Sequence, residues 1–439
     1  MDAFEIHGGR RLSGRWRIGG AKNSALPLMA ASLLTDEPVV LSDVPNLVDI
    51  TNMSALLGTL GCHVEHDTQD PDQTLTIEVT DPSQYLAEYD IVRRMRASIC
   101  VLGPLLARRG RARVSMPGGC NIGDRPVDLH IRGMRALGAE VNLEEGYIVA
   151  HATHLRGARV FLGGPFGSTV LGTANVMCAA TLAQGTTVIE SAACEPEIAD
   201  LAKLLNQMGA RVSGAGTPRV VVDGVERLAG TRYTIMPDRI EAGTYIMASA
   251  ITNGSIELEN CPMDALSALL DRLEAIGVDV EPVQSDGQAP VDDRFRQTVR
   301  VASKRRLEPV QVVTQPYPGF PTDLQAQIMA LLCQADGNSL ITEKIFPDRF
   351  LHVAELLRMG ANLIRLGPSV LISGSRQLSA APVMASDLRA SAGLVLAGLA
   401  AQGTTLVNRV YHLDRGYDRM ELALQKLGAD IQRVDRPAV

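Results

Sequence analysis

One cysteine of this chain lies in a glycine-rich stretch, SMPGGCNIGDRPVDLH from Ser115 to His130, with Arg125 five residues after Cys120. Glycines at 118, 119 and 123 make a poor helix or strand interior, so the stretch reads as a loop. A thiol, exposed backbone N–H groups and a guanidinium held together suit a small anion undergoing chemistry. The alternative is a turn that happens to contain a buried thiol, since free cysteine is often a small core residue. Other segments carry matching groups. GGAKNSALP at 19–27 sets Lys22 and Asn23 at a glycine turn where a helix begins, and a helix start beside an ammonium suits phosphate. MRAS at 95–98 and SDLRASAG at 386–393 resemble each other and put Arg96 and Arg389 just before Ala/Leu-rich helices. Those arginines either serve the structure or, with Lys22, Arg125 and Arg415, form a cluster for two anions, one a carboxylate bound bidentately. GFPTDLQAQ at 319–327 has helix-capping grammar at Thr322 and Asp323; the same carboxylate beside arginines could act as a general base.

Composition narrows the partners. The chain has 439 residues, 46% hydrophobic, enough for two domains with cores of their own. Net charge is −7 and aromatic residues make up only 4%, which argues against a nucleic-acid surface or an acidic membrane, so an anionic ligand must be met by local arginines. The seven cysteines (62, 100, 120, 178, 194, 261, 333) form no C-x-x-C pair, which suggests neither a disulfide framework nor a zinc site and fits a reducing cytoplasm. HATH at 151–154 has no supporting cluster for a metal. No apolar run reaches the length of a membrane span, and the N-terminal residues lack a signal-peptide core, so no membrane insertion is expected. A glycine-rich phosphate loop of the G-x-x-x-x-G-K-[ST] type and a G-x-G-x-x-G after a strand are both absent.

The elements that must position these groups repeat. LLGTLGCHV (56–64), GMRALGAEV (133–141), LLNQMGARV (204–212), DRLEAIGVDV (271–280), LLRMGANLI (356–364) and LQKLGADI (424–431) each read as a helix end, a C-cap glycine and a strand start. Each is preceded by an Ala/Leu-rich helix, a turn and a strand, giving six copies with a period of roughly 70 to 80 residues. Breaks near 18–21 and at MPDRIEAG, 236–243, favour two domains of three copies each. In this register the polar residues gather in one equivalent loop of each copy: Asp49; Cys120, Arg125 and His130; Glu195 and Glu197; Asp264; Asp348 and Arg349; Asp414 and Arg415. Loops on a rigid repeat are where function collects, which favours a functional cysteine.

GGAKNSALP, MRAS, PGGCNIGDRPVDLHI, EPEIADLA, PDRIEAGTY, FPTDLQAQ, PDRFLHV, SDLRASA and YHLDRGYDR, taken together and in order, resemble the UDP-N-acetylglucosamine 1-carboxyvinyltransferase family over almost the whole chain. The cysteine loop separates that family from the 3-phosphoshikimate 1-carboxyvinyltransferases, which share the repeat. The resemblance implies an α/β fold, an inside-out α/β barrel of two similar domains, each of three βαβαββ repeat units. It suggests residues 22–236 for a catalytic domain carrying the cysteine loop as a lid, with 1–21 and 237–439 forming a second domain of the same fold. The implied reaction moves the enolpyruvyl group of phosphoenolpyruvate to the 3-hydroxyl of UDP-N-acetylglucosamine and releases phosphate, the first committed step of peptidoglycan synthesis.

By motif match, Cys120 is the general acid and lid nucleophile and Asp323 the base on the sugar hydroxyl. Lys22, Arg125 and Arg415 hold the phosphate of phosphoenolpyruvate, and Arg389 lies near its carboxylate. Arg96 and Arg125 bracket the lid. Asn23, Thr322, Asp323 and Ile345 contact the sugar substrate, and Arg349 orients the cleft. No cofactor and no metal are implied; the partners are the two small-molecule substrates in the cytoplasm, and fosfomycin is expected to modify Cys120. The sequence also departs from the family pattern: a nucleotide-phosphate segment appears as STVLGT at 168–173, with Leu171 in place of a small residue. That departure keeps open a paralogue acting on a different nucleotide-sugar or nucleoside acceptor in secondary metabolism.

Overall fold

The computed structural model describes residues 2–118, 127–283, 295–303, 306–374 and 377–435. Each copy contributes to a four-stranded sheet of one pattern. In the first, Val39–Ser42 pairs in parallel with Thr231–Thr234 and antiparallel with Thr74–Val79, which takes Cys62–Asp67 as its other neighbour. One parallel and two antiparallel pairs recur in the same order in the other five sheets. A small extra ribbon pairs Gly163–Gly164 with Gly167–Ser168.

The repeat follows from local chemistry. Gly61, Gly138, Gly209, Gly277, Gly360 and Gly428, which close the six second helices, all have φ between 80° and 100°. A side chain is disfavoured there, and the turn lets each helix reverse directly into its strand. The second helices, such as Ser267–Ile276 and Leu351–Arg358, bury one stripe and leave the rest to solvent. The first helices differ: Val170–Ala180, Arg239–Ile251 and Leu388–Ala400 are buried on nearly every face.

That difference puts helices inside and sheets outside. One core is built from residues between Ala25 and Ile235, the other from residues up to Ile18 and from Ile240 onward. Contacts divide the described chain in the same way, into a unit running from Gly20 to Met236 and a unit made of the residues up to Gly19 and from Pro237 onward. In the second of these, the helices Arg239–Ile251, Gln325–Leu332 and Leu388–Ala400 pack on one another. A Cβ on Gly393 would come within 2.7 Å of the Ala326 carbonyl oxygen, so two of the helix backbones touch there. In the Gly20–Met236 unit a Cβ on Gly103 would lie 2.2 Å from the Asn175 carbonyl oxygen. Ala and Gly on these faces let helices approach closely, and the stripped side-chain volume is replaced by backbone contact. The loops that lead from a strand into each second helix start from this rigid support.

Candidate active site

In the Gly20–Met236 unit, Lys22 and Asn23 are the first two residues of the helix Lys22–Ala31 rather than a turn before it. Lys22 is buried, and its Nζ lies 3.3 Å from Asp49 Oδ2 in the first turn of the helix Val48–Thr59. Ser24, one residue on from Asn23, donates to Asp200 Oδ2 at 2.6 Å. Asp200 also accepts from Tyr233 Oη at 2.5 Å and from the Met236 N–H at 3.2 Å, so one buried carboxylate ties the start of this helix to the end of the unit. Burial pushes Asp200 above the usual carboxylate value, against the pull of those hydrogen bonds.

Arg96 opens the short 3-10 turn Arg96–Val101. Burial first and Arg96 second push His130 down to about 3, so His130 is neutral. It sits in the helix Asp128–Ala136, where Nδ1 accepts from Asn175 Nδ2 at 2.9 Å. Asn175 also donates to the Ile99 carbonyl and accepts from the Gly103 N–H, pinning three segments around Arg96. Cys120 and Arg125 lie outside the described residues. In the STVLGT segment, Thr169 accepts from the Gly172 N–H at 3.2 Å and caps the helix Val170–Ala180, while Leu171 packs half-buried against the core.

The other unit brings together Thr322, Asp323, Ile345, Arg349 and Arg389. Thr322 and Asp323 do not cap the Gln325–Leu332 helix; they occupy a 3-10 turn, Thr322–Leu324, and their side chains face two arginines instead. Arg349 Nη1 donates to Asp323 Oδ1 at 2.9 Å and to Thr322 Oγ1 at 3.0 Å. Arg389 Nε donates to Asp323 Oδ2 at 3.3 Å. The Asp323 side chain keeps 28% exposure, whereas those of Arg349 and Arg389 keep 7% and 2%. A partly exposed carboxylate is thus held through both oxygens by two buried arginines.

Arg389 is the second residue of the helix Leu388–Ala400, whose N-cap Asp387 accepts from the Arg389 and Ala390 N–H groups. The guanidinium lies 5.4 Å from the centre of the Tyr417 ring. Its Nη1 and Nη2 are buried, with the Tyr417 hydroxyl as their neighbouring oxygen. Asp323 and Tyr417 offset the cost of burying this cation. Arg415 ends the turn Val410–Arg415, which packs against the Leu388–Ala400 helix. His412 faces both Arg415 and Asp387; burial first and Arg415 second lower its pKa. Asp414 beside it is gripped by Arg433 at 2.5 and 3.1 Å.

Sequence reasoning missed three acids that position these groups: Asp49 against Lys22, Asp200 against Ser24, and Glu343. Asp49 was read only as one polar residue of an equivalent loop. Glu343 had a signal in the period of two: Ser339, Ile341 and Glu343 all face inward, and an acid on a buried strand face needs donors. Among the described residues no group of His, Cys, Asp and Glu is arranged to hold a metal ion.

A profile of the EPSP synthase (3-phosphoshikimate 1-carboxyvinyltransferase) family matches residues 6–430. The chain is 50% identical over 435 residues to the UDP-N-acetylglucosamine 1-carboxyvinyltransferase of Methylacidiphilum infernorum (isolate V4), covering 99% of each chain. It is 51% identical to the protein of that name from Coxiella burnetii (strain Dugway 5J108-111), covering 99% of this chain and 96% of the relative. Among solved structures, the enolpyruvyl transferase NikO from Streptomyces tendae superposes with a TM-score of 0.86 at 26% identity, over 99% of both chains. An EPSP synthase from Acinetobacter baumannii shares the fold at a TM-score of 0.75 and 15% identity. With the six-fold repeat and the arginine-held carboxylate, these likenesses mean that the chain belongs to the EPSP synthase family and, within it, to the UDP-N-acetylglucosamine 1-carboxyvinyltransferases.

Proposed function

We infer that this protein transfers the enolpyruvyl group of phosphoenolpyruvate to the 3-hydroxyl of UDP-N-acetylglucosamine and releases phosphate, in peptidoglycan synthesis. The observation that carries the reading is the half-open Asp323 carboxylate between Arg349 and Arg389, on a chain about half identical to enzymes of that name along its whole length. The reaction is an addition followed by an elimination. C3 of phosphoenolpyruvate takes a proton, the sugar oxygen bonds to C2 as its own proton leaves, and the tetrahedral phospho-ketal then loses phosphate and a C3 proton. An acid and a base must face the same substrate pair.

Asp323 suits the base, because its exposed side can take the hydroxyl proton while the two arginines fix its direction. Thr322, Ile345 and Asn23 are assigned by the family resemblance to the sugar substrate. Arg389, a buried guanidinium beside Asp323, is assigned by the family resemblance to the carboxylate of phosphoenolpyruvate. The same resemblance assigns Lys22, Arg125 and Arg415 to its phosphate and Cys120 to the proton delivered to C3. An arginine five residues from that thiol lowers its pKa, which makes it a stronger acid toward C3 and gives the thiolate that fosfomycin alkylates once the proton has left. Protonating an enol ether needs no electron sink, so no step calls for a metal or an organic cofactor. Both substrates are charged metabolites of the cell interior, which supports a cytoplasmic site of action.

The test is phosphate release from phosphoenolpyruvate by the purified chain, with and without UDP-N-acetylglucosamine. Release that requires the sugar nucleotide supports both reaction and acceptor. Release only with another uridine nucleotide would move the acceptor, as Leu171 in the STVLGT segment once suggested. No release with any nucleotide would overturn the reading.

A further inference from the structure

Glu343 follows the strand Asn338–Thr342 and is completely buried. A buried carboxylate is tolerated where donors satisfy its oxygens, and four do so here. Oε1 accepts from Thr314 Oγ1 at 2.6 Å and from the N–H groups of Ile345 and Phe346 at 2.8 and 3.0 Å. Oε2 accepts from Thr322 Oγ1 at 2.9 Å. One side chain therefore sets both the 345–346 turn and the hydroxyl next to Asp323. The bond to Thr322 also has a direction. Because the Thr322 proton points to Glu343, its lone pairs are free to accept from Arg349 Nη1, the same nitrogen that holds Asp323 Oδ1.

Resting on the function proposed above, we propose that Glu343 is a positioning residue for the sugar-nucleotide acceptor, acting through a relay that runs Glu343, Thr322, Arg349, Asp323. It never meets substrate. It fixes the hydroxyl polarity that aims Arg349, and it holds the backbone at Ile345. A glutamine cannot do both. If its oxygen replaces Oε1, its amide donates to Thr322, turns the hydroxyl proton toward Arg349 and sets two donors against each other. Reversed, the amide faces three donors.

The experiment is steady-state phosphate release by the full chain, varying each substrate in turn, for wild type, Glu343→Gln, Thr322→Val and the double variant. Binding of UDP-N-acetylglucosamine to the same four proteins is measured by calorimetry, and each melting curve is recorded. Glu343→Gln is expected to raise the KM and Kd for the sugar nucleotide roughly tenfold, the scale of one charge-assisted hydrogen bond. The KM for phosphoenolpyruvate should stay within about twofold, a change too small to represent a lost bond. In the Thr322→Val background the same substitution should add little, because partners in one network are not additive. A lower melting temperature with unchanged kinetics and binding, equal losses on both substrates, or full additivity would each overturn the relay. A wild-type chain that binds the sugar nucleotide without turnover would remove the proposed reaction, while the calorimetric comparison still decides the relay.

Discussion

Arg349 offers the sharpest test of how Asp323 is held. Replacing it with methionine keeps most of the volume and removes two hydrogen bonds from one nitrogen, to Asp323 Oδ1 at 2.9 Å and Thr322 Oγ1 at 3.0 Å. A hydrogen bond involving a charged group contributes about 1.5–3 kcal/mol. Two corrections lower the sum. Asp323 is 28% exposed, so water recovers part of the first bond, and Thr322 stays anchored by Glu343. Arg389 also remains on the other carboxylate oxygen. The net loss of transition-state stabilisation is then about 1.5–2 kcal/mol, or roughly ten- to thirtyfold in kcat/KM. The assay is initial-rate phosphate release at saturating phosphoenolpyruvate with the sugar nucleotide varied, alongside a melting curve to show that Arg349→Met is folded. The loss should fall on kcat/KM for the sugar nucleotide. A value within about twofold of wild type, less than a single such bond, would refute the claim that this arginine directs the carboxylate.

Two further substitutions probe the frame and its pH response. Gly103→Ala drives a Cβ to 2.2 Å from the Asn175 carbonyl oxygen and strains the 2.7 Å bond from the Gly103 N–H to Asn175 Oδ1. Overpacking of about 1–3 kcal/mol and one lost hydrogen bond exceed the helix-propensity gain of about 1 kcal/mol. The net loss of about 2 kcal/mol should lower Tm by several degrees; an unchanged Tm would mean that the helices separate at no cost. Glu241 accepts from the Gly19 N–H and Trp16, and desolvation first and Asp238 second push it up to about 8 from 4.5. The folded chain therefore keeps a proton that the unfolded chain loses, so this stabilisation is complete below about pH 4.5 and declines as pH rises through 8. Glu241→Gln, which mimics the protonated acid, should raise Tm relative to wild type more at pH 8.5 than at pH 5; an equal shift at both would exclude the titration.

The six copies were legible because their signals are local. A glycine that ends a helix in the left-handed region looks the same wherever the helix packs, and all six did so. Helices rich in Ala, Leu and Gly cannot present a polar face, so their burial followed from composition, while the family resemblance supplied their place inside the sheets. Arginines at the starts of MRAS and SDLRAS were visible for the same reason, as were the loops where polar residues gather.

The pairings were not local. Thr322 and Asp323 carry the grammar of a helix cap, and the sequence had no means to reject it, because a cap and an arginine-bound pair use the same oxygen atoms. Tertiary structure decided the matter by bringing Arg349 from 26 residues away and Arg389 from 66, cations that outcompete backbone N–H groups for a carboxylate. Glu343 reads along the chain as an ordinary acid at a strand end; burial turned it into the acceptor for four donors. Sequence by itself determined the repeated elements and the types of reactive group they carry, since propensity and turn chemistry depend on near neighbours. Which charges meet and which hydroxyl points where depend on packing between distant segments, and only the tertiary structure decided those.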